Sequence, residues 1–272
     1  TCTTSDSQSY SCVVSTSSLG TDKDGTYTYS VTGSDFNGNA MGSTVIGQVL
    51  VDRTDAAITF VSVTPSAVKI ATASVTVVFD TNEPLGVNPV VFIGSELSKN
   101  TPNSVSGLRY TYIFNDLSAL SDGSKTVKVY ATDSKGNSKE TPCGTPVVVD
   151  RTPPALLAGT VAPAIANSET VSVAVSFAFS EKIDSFVKGD VTVVPSGILT
   201  NYVCTNSSGD EQTYSCLFDT TLLGEYEGSF TFYAAAEDKA GNPMAMNPSA
   251  IGVLTVDRNA PELTFNSVTP ST

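Results

Sequence analysis

Apolar and polar residues alternate with a period of two along most of this chain. Val171, Val173, Val175, Phe177 and Phe179 are separated by Ser172, Ala174, Ser176 and Ala178, the pattern of a strand with one buried face. Ala73, Val75, Val77 and Phe79 carry the same pattern earlier in the chain. A second alternating strand reads Val127, Val129, Ala131 in one place and Phe230, Phe232, Ala234 in another, and Gly25, Gly123 and Gly228 mark the turns into such strands. No segment sustains the helical period of about 3.6 residues. The elements are strands, and the fold class they predict is all-β, an antiparallel sandwich.

The strands recur as a unit. Val-Asp-Arg occurs at Val51-Asp52-Arg53, Val149-Asp150-Arg151 and Val256-Asp257-Arg258. Each copy follows an Asp-x-x-Gly-Asn turn: Asp35 to Asn39, Asp133 to Asn137 and Asp238 to Asn242. The three phrases stand 98 and 107 residues apart (52 to 150, 150 to 257). That period is too long for a solenoid repeat and fits a whole sandwich domain. Aligning the copies predicts a C-terminal half domain at 1–53, whole domains at 54–151 and 152–258, and the first strand of another domain at 259–272. Pro153-Pro154 and Pro261 follow the Val-Asp-Arg phrases closely. Proline fixes φ and removes a donor, so these short linkers are expected to be stiff.

Composition narrows the setting. The chain has 272 residues, 40% hydrophobic and 15% charged, with a net charge of −13. That is enough apolar side chain for a core in each unit, and the acidity argues against nucleic acid and anionic membranes as partners. No apolar run approaches the ~18 residues of a membrane helix. Histidine and tryptophan are both absent. The first removes the commonest general base and a common metal ligand, and no convergent set of titratable groups is visible, so no enzyme is predicted.

Five cysteines point to an oxidising compartment. Cys2 and Cys12 are ten residues apart, Cys204 and Cys216 twelve, and both second members lie in Tyr-Ser-Cys. The middle repeat has Tyr112 at that place and lacks both cysteines. Residues that appear and vanish together behave as a bonded pair, so two hairpin disulfides are expected, each contributing at most ~3 kcal/mol. Cys143 is left over, as a quiet loop thiol or an interchain bridge.

Phe179-Ser180-Glu181, Gly189-Asp190-Val191-Thr192-Val193, Asp238-Lys239-Ala240-Gly241-Asn242 and Thr255-Val256-Asp257-Arg258-Asn259-Ala260-Pro261 together resemble a bacterial Ig-like domain. The middle repeat departs from that pattern, with Phe79-Asp80-Thr81-Asn82-Glu83-Pro84 where Phe-Ser-Glu stands in the last. The resemblance implies tandem Ig-like sandwiches of large surface adhesins and biofilm proteins, and an extracellular or cell-surface location.

Candidate chemistry is sparse. The Asp-x-x-Gly-Asn runs read as hairpin turns, in which Asp bonds backbone amides and Gly or Asn accepts positive φ. Asp52, Asp150 and Asp257 sit at the domain junctions, where calcium bound by carboxylates would stiffen an array. Calcium takes six to eight oxygens, and each junction offers one clear Asp beside an Arg. Ligand count therefore favours an Asp–Arg pair or strand-end hydrogen bonds, with Glu83 and Glu181 as further ligands if they point to the junction. Asn206-Ser207-Ser208 is a glycosylation sequon inside the Cys204–Cys216 loop. The Thr and Ser residues between Thr1 and Ser18 are candidates for O-linked sugar.

The function these observations predict is structural, a semi-rigid extracellular stalk or fibre segment whose partners are neighbouring copies or domains. One alternative is a filament protomer completed by strand donation from Leu263–Thr269. Another is a carbohydrate- or protein-binding module, with Tyr27, Tyr110 and Tyr130 as the aromatics to test.

Overall fold

A computed structural model describes residues 1–6, 8–17, 23–244 and 250–269. Among the described residues the chain is β-rich, and its 3-10 turns include Lys188–Asp190 and Thr221–Leu223. It divides into two compact units, one of residues 1–66, 73–120 and 124–147, the other of 67–72, 121–123 and 148–272. Ala67 and Val68 pair in parallel with Val148 and Val149. Those bonds gather a short early segment onto a late strand.

In the first unit, one four-stranded sheet runs Ser104–Ser106, Arg109–Phe114, Val75–Thr81, Ile58–Thr64. A second runs Ser138–Pro142, Val127–Thr132, Val90–Ile93, Leu97–Lys99. Alternation decides what is buried. Along Val75–Thr81 every second side chain is inside, and Val75, Val77, Phe79, Val91, Ile93, Tyr112, Val127 and Val129 are fully enclosed. Phe79 lies parallel to Tyr110 and Tyr112, with ring centroids 5.5 and 5.9 Å away. Full burial of each such side chain contributes roughly 1.5–3 kcal/mol. Residues 25–51 form a separate hairpin of Gly25–Ser34 against Ala40–Val51, with Val45, Ile46 and Leu50 exposed.

The second unit repeats the plan. One sheet runs Leu156–Ala162, Ser172–Phe179, Thr213–Asp219, Tyr202–Asn206, and the other Ile165–Ala166, Gly252–Val256, Gly228–Ala234, Val191–Val194. Val173, Val175, Phe177 and Phe179 face a core that also holds Phe186, Phe218, Phe230, Phe232 and Leu254. Val171, first in the alternating run, lies outside the strand and is exposed. Gly123 and Gly228 open their strands with φ of 113° and 144°, a region from which a side chain is nearly barred.

Both cysteine pairs are bonded, Cys2 to Cys12 and Cys204 to Cys216. Each joins residues directly opposite in a hairpin. Cys143 is half-buried. Residues 259–269 carry no strand, and Leu263, Phe265 and Val268 are exposed. A strand is defined by its partner, and that segment pairs with none among the described residues. Ser7, Ser18 and residues 270–272 fall outside the described residues.

Candidate functional site

Among the described residues, each unit contains a group of three carboxylates, built from the same parts. The first part is the Asp-x-x-Gly-Asn turn. Asp133 Oδ1 accepts the backbone N–H of Lys135 at 2.7 Å and of Asn137 at 3.0 Å, while Oδ2 accepts Asn137 Nδ2 at 2.7 Å. In the second unit Asp238 Oδ1 accepts the Asn242 N–H at 2.8 Å and Oδ2 accepts Asn242 Nδ2 at 2.7 Å. These bonds hold the turn and fix the direction of the carboxylate.

The same asparagine reaches the Val-Asp-Arg phrase. Asn137 Nδ2 donates to the Asp52 carbonyl at 3.2 Å, and Asn242 Nδ2 to the Asp150 carbonyl at 3.0 Å. The tie brings Asp52 beside Asp133 and Asp150 beside Asp238. Glu83 and Glu181, just beyond the strands Val75–Thr81 and Ser172–Phe179, complete the groups. Asp52, Glu83 and Asp133 present oxygens within 4.8 Å of one another, as do Asp150, Glu181 and Asp238. Asp133 and Asp238 are buried and the other four half-buried.

The backbone of each phrase's arginine is tied to an acidic residue outside the trio. The Arg53, Arg151 and Arg258 N–H groups donate to Asp24, Asp122 and Glu227 at 2.8, 2.9 and 2.7 Å. The Arg53 guanidinium donates to Thr16 O, and that of Arg258 to Thr220 O and Gly224 O. An acidic residue immediately before Gly25, Gly123 or Gly228 thus receives the end of the Val-Asp-Arg strand. Thr54 N and Thr152 N also approach Asp52 and Asp150 Oδ1 at 3.3 and 3.4 Å, so strand-end hydrogen bonds are present alongside the acidic grouping.

The charge is not neutralised locally. Among the described residues no ion pair joins either trio. Burial, and then the negative charges of Asp52, Asp133 and Asp24, pushes the Glu83 carboxyl above its ordinary range. Glu181 is raised by burial and by Asp150, Asp238 and Asp122. Asp150 is raised by burial and by Asp238 and Asp122. Burial acts on Asp133 in the same sense, but hydrogen bonds from Asn137, Lys135 and Gly136 more than offset it and hold it low. A group of oxygens whose charge raises its own acids suits a hard cation such as calcium, with backbone or water oxygens completing six to eight ligands.

Of the sequence candidates, Asp52 and Asp150 join these groups. Asp257 is exposed, with its N–H bonded to Ala166 O at 2.9 Å. Asp133 and Asp238, assigned above to plain turns, are the buried members. No spacing in the sequence singled them out, because each meets the Val-Asp-Arg phrase of the preceding repeat, 81 residues away for Asp133 (52 to 133) and 88 for Asp238 (150 to 238). The three tyrosines differ in setting: Tyr110 is buried, Tyr27 donates its hydroxyl to Lys23 O, and Tyr130 is exposed. Asn206 is exposed, its Oδ1 accepting the Gly209 N–H at 2.8 Å.

Residues 108–185 match the family model "Bacterial Ig-like domain (group 3)", a span that runs from the second half of the middle repeat into the first half of the last. No curated protein matches the chain. Among solved structures, a Ca2+-stabilized adhesin with which an Antarctic bacterium binds ice is 22% identical over 85% of this chain and 57% of its own, with a TM-score of 0.40. A solved chain from a study of host cell surface retention of a 1.5-MDa bacterial ice-binding adhesin is 19% identical over 85% of this chain and 74% of the solved one, with a TM-score of 0.44. A tetra-tandem repeat from the extending region of a large adhesion protein is 21% identical over 86% of this chain and 56% of its own, with a TM-score of 0.34. The chain therefore spans little more than half of the first and third of these. It is an all-β chain, similar over residues 108–185 to the bacterial Ig-like domain (group 3) model.

Proposed function

We propose that this chain is a stalk segment of an adhesin-like protein at the cell surface, in which the two carboxylate trios hold calcium and stiffen the array. The observation that carries this reading is the recurrence of one trio, Asp–Glu–Asp, at equivalent places in two Ig-like units. A structural turn needs its Asp and Asn alone. It gives no reason to gather a glutamate and a strand-end aspartate around the same oxygen. Two disulfides support an oxidising location, and no helix among the described residues is long and apolar enough to cross a membrane. The proposal gives the chain a mechanical role, with its partners the neighbouring domains or copies, and no catalytic one.

Thermal unfolding of the whole chain in EDTA and in millimolar calcium tests it. A cation at 100 times its Kd stabilises by about 2.7 kcal/mol, which for a domain near 100 residues raises Tm by roughly 10 °C or more. Glu83→Gln with Glu181→Gln should abolish most of the shift. An unchanged Tm in calcium would remove the cation from the proposal. X-ray scattering then tests the stalk itself, which requires a narrower range of chain dimensions in calcium than in EDTA.

A further inference from the structure

The loop that carries the trio glutamate is built differently in the two units. Phe79 pairs with Tyr110 in the first and Phe177 with Tyr214 in the second. Two residues on, the Thr81 N–H donates to Leu108 O and the Phe179 N–H to Gln212 O, both at 3.0 Å. Glu83 and Glu181 each lie two residues further again, and Leu85 and Ile183 then bridge to Asp133 and Asp238. This register makes Gly107 and Glu211, one residue before Leu108 and Gln212, equivalent. Their backbones agree, with φ of 61° and 62°. A glycine takes that left-handed conformation freely. Among the described residues Glu211 is the one non-glycine that adopts it, and a side chain there persists only where its surroundings hold it.

The carboxylate and the carbonyl of Glu211 supply that hold. Lys239 Nζ donates to Glu211 Oε1 at 2.7 Å, and Lys182 Nζ lies 3.4 Å from Oε2. Glu211 O accepts the Ile183 N–H at 2.9 Å. Lys239 directly follows Asp238 and Lys182 directly follows Glu181, so one side chain spans the two segments that carry trio acids. The first unit has Ser134, Pro84 and Gly107 at these places, and the three charges are absent together. It fixes its glutamate by other means. Thr81 Oγ1 donates to Glu83 O at 2.7 Å, and Pro84 locks its own φ and restricts Glu83 before it. The second unit has Phe179 and Lys182 there, which supply neither the hydroxyl nor the locked φ.

We propose that Glu211 is a positioning residue of the second trio, a clamp that ties Lys182 to Lys239 and so fixes Glu181 beside Asp238. Either pair alone is exposed at the surface and would contribute little. One carboxylate shared by two lysines is a network, and it stands in for the threonine and proline of the first unit. The backbone cost of a glutamate at this φ is offset because the side chain joins a loop to a turn. The purpose of the clamp rests on the cation reading above, whereas its geometry stands without a cation.

Two measurements on the full chain test it. In EDTA, amide hydrogen exchange follows Ile183, whose N–H is bonded to Glu211 O. Glu211→Gln keeps the backbone demand and removes the charge, whereas Glu211→Gly removes both and matches the first unit. Each should speed Ile183 exchange by roughly threefold and leave the strand amides of Gly228–Ala234 unchanged. The difference should shrink as salt rises from about 0.05 to about 0.5 M, which a purely backbone role would not show. Calcium titration followed by NMR at the Asn137 and Asn242 amides reads each trio separately. Both variants should weaken calcium at the Asn242 trio by roughly threefold and leave the Asn137 trio unchanged. Ile183 exchange unaltered in Glu211→Gln overturns the clamp, as does calcium binding at Asn242 that neither variant weakens. An Asn242 amide indifferent to millimolar calcium in the unsubstituted chain removes the cation reading instead, and Ile183 exchange then decides the clamp alone.

Discussion

Asn242 is the side chain through which turn and strand end are joined in the second unit, and its removal has a calculable cost. It is fully buried. Its Nδ2 donates to Asp238 Oδ2 at 2.7 Å and to the Asp150 carbonyl at 3.0 Å, and its Oδ1 accepts the Ile70 N–H at 2.8 Å. A hydrogen bond to a charged group is worth about 1.5–3 kcal/mol, and each neutral one about 0.5–1.5. Asn242→Ala should therefore destabilise the unit by roughly 3–5 kcal/mol. Asn39 supplies the internal control. It makes the same local bonds to Asp35, at 2.8 Å from both backbone and side chain, but is exposed. Water replaces its amide, so Asn39→Ala should cost under about 1 kcal/mol. The assay is urea-dependent hydrogen exchange of the full chain, followed at the strand amides of Gly228–Ala234 for the first variant and of the Gly25–Ser34 hairpin strand for the second. Equal costs for the two substitutions would refute the argument, because they would show that the bonds beyond the turn contribute nothing.

Three further outcomes follow from the same geometry. Tyr112, fully buried, donates its hydroxyl to Pro89 O at 2.5 Å; Tyr112→Phe should cost about 1–3 kcal/mol, measured by urea titration of the first unit. Asp210 is held down to about 2 by the Gln212 N–H, then by the Ser208 side chain and the Thr213 N–H. Its stabilising contribution is thus complete above the ordinary carboxylate value and lost as pH falls through about 2; an Asp210 carboxyl that titrates at its ordinary value by NMR would refute this. Reducing Cys204–Cys216, which closes a separation of 12 residues, should lower stability by at most about 3 kcal/mol. In single-molecule stretching it should lengthen the contour released by this unit by about 4 nm, at roughly 3.5 Å per residue. No change in length would mean that the bridge lies outside the force-bearing chain.

Periodicity alone determined that this is a β chain, which faces of its strands are inside, and that its parts repeat. Val75, Val77 and Phe79, and Val173, Val175 and Phe177, are buried because side chains on a strand alternate, a rule that needs no tertiary information. The hairpin disulfides were legible for a similar reason, since residues that come and go together across repeats share one function. The carboxylate trios were legible only in part. Asp52, Asp150, Glu83 and Glu181 could be named as candidates, but Asp133 and Asp238 satisfy a turn so completely that the sequence offered no further role for them. What placed them was Asn137 and Asn242 bonding across 85 and 92 residues of chain, a contact set by how strand ends meet. The clamp at Glu211 was likewise decided by tertiary structure. Lys182, Glu211 and Lys239 stand far apart in the chain, and only the meeting of a strand end, a hairpin tip and a turn brings their charges together.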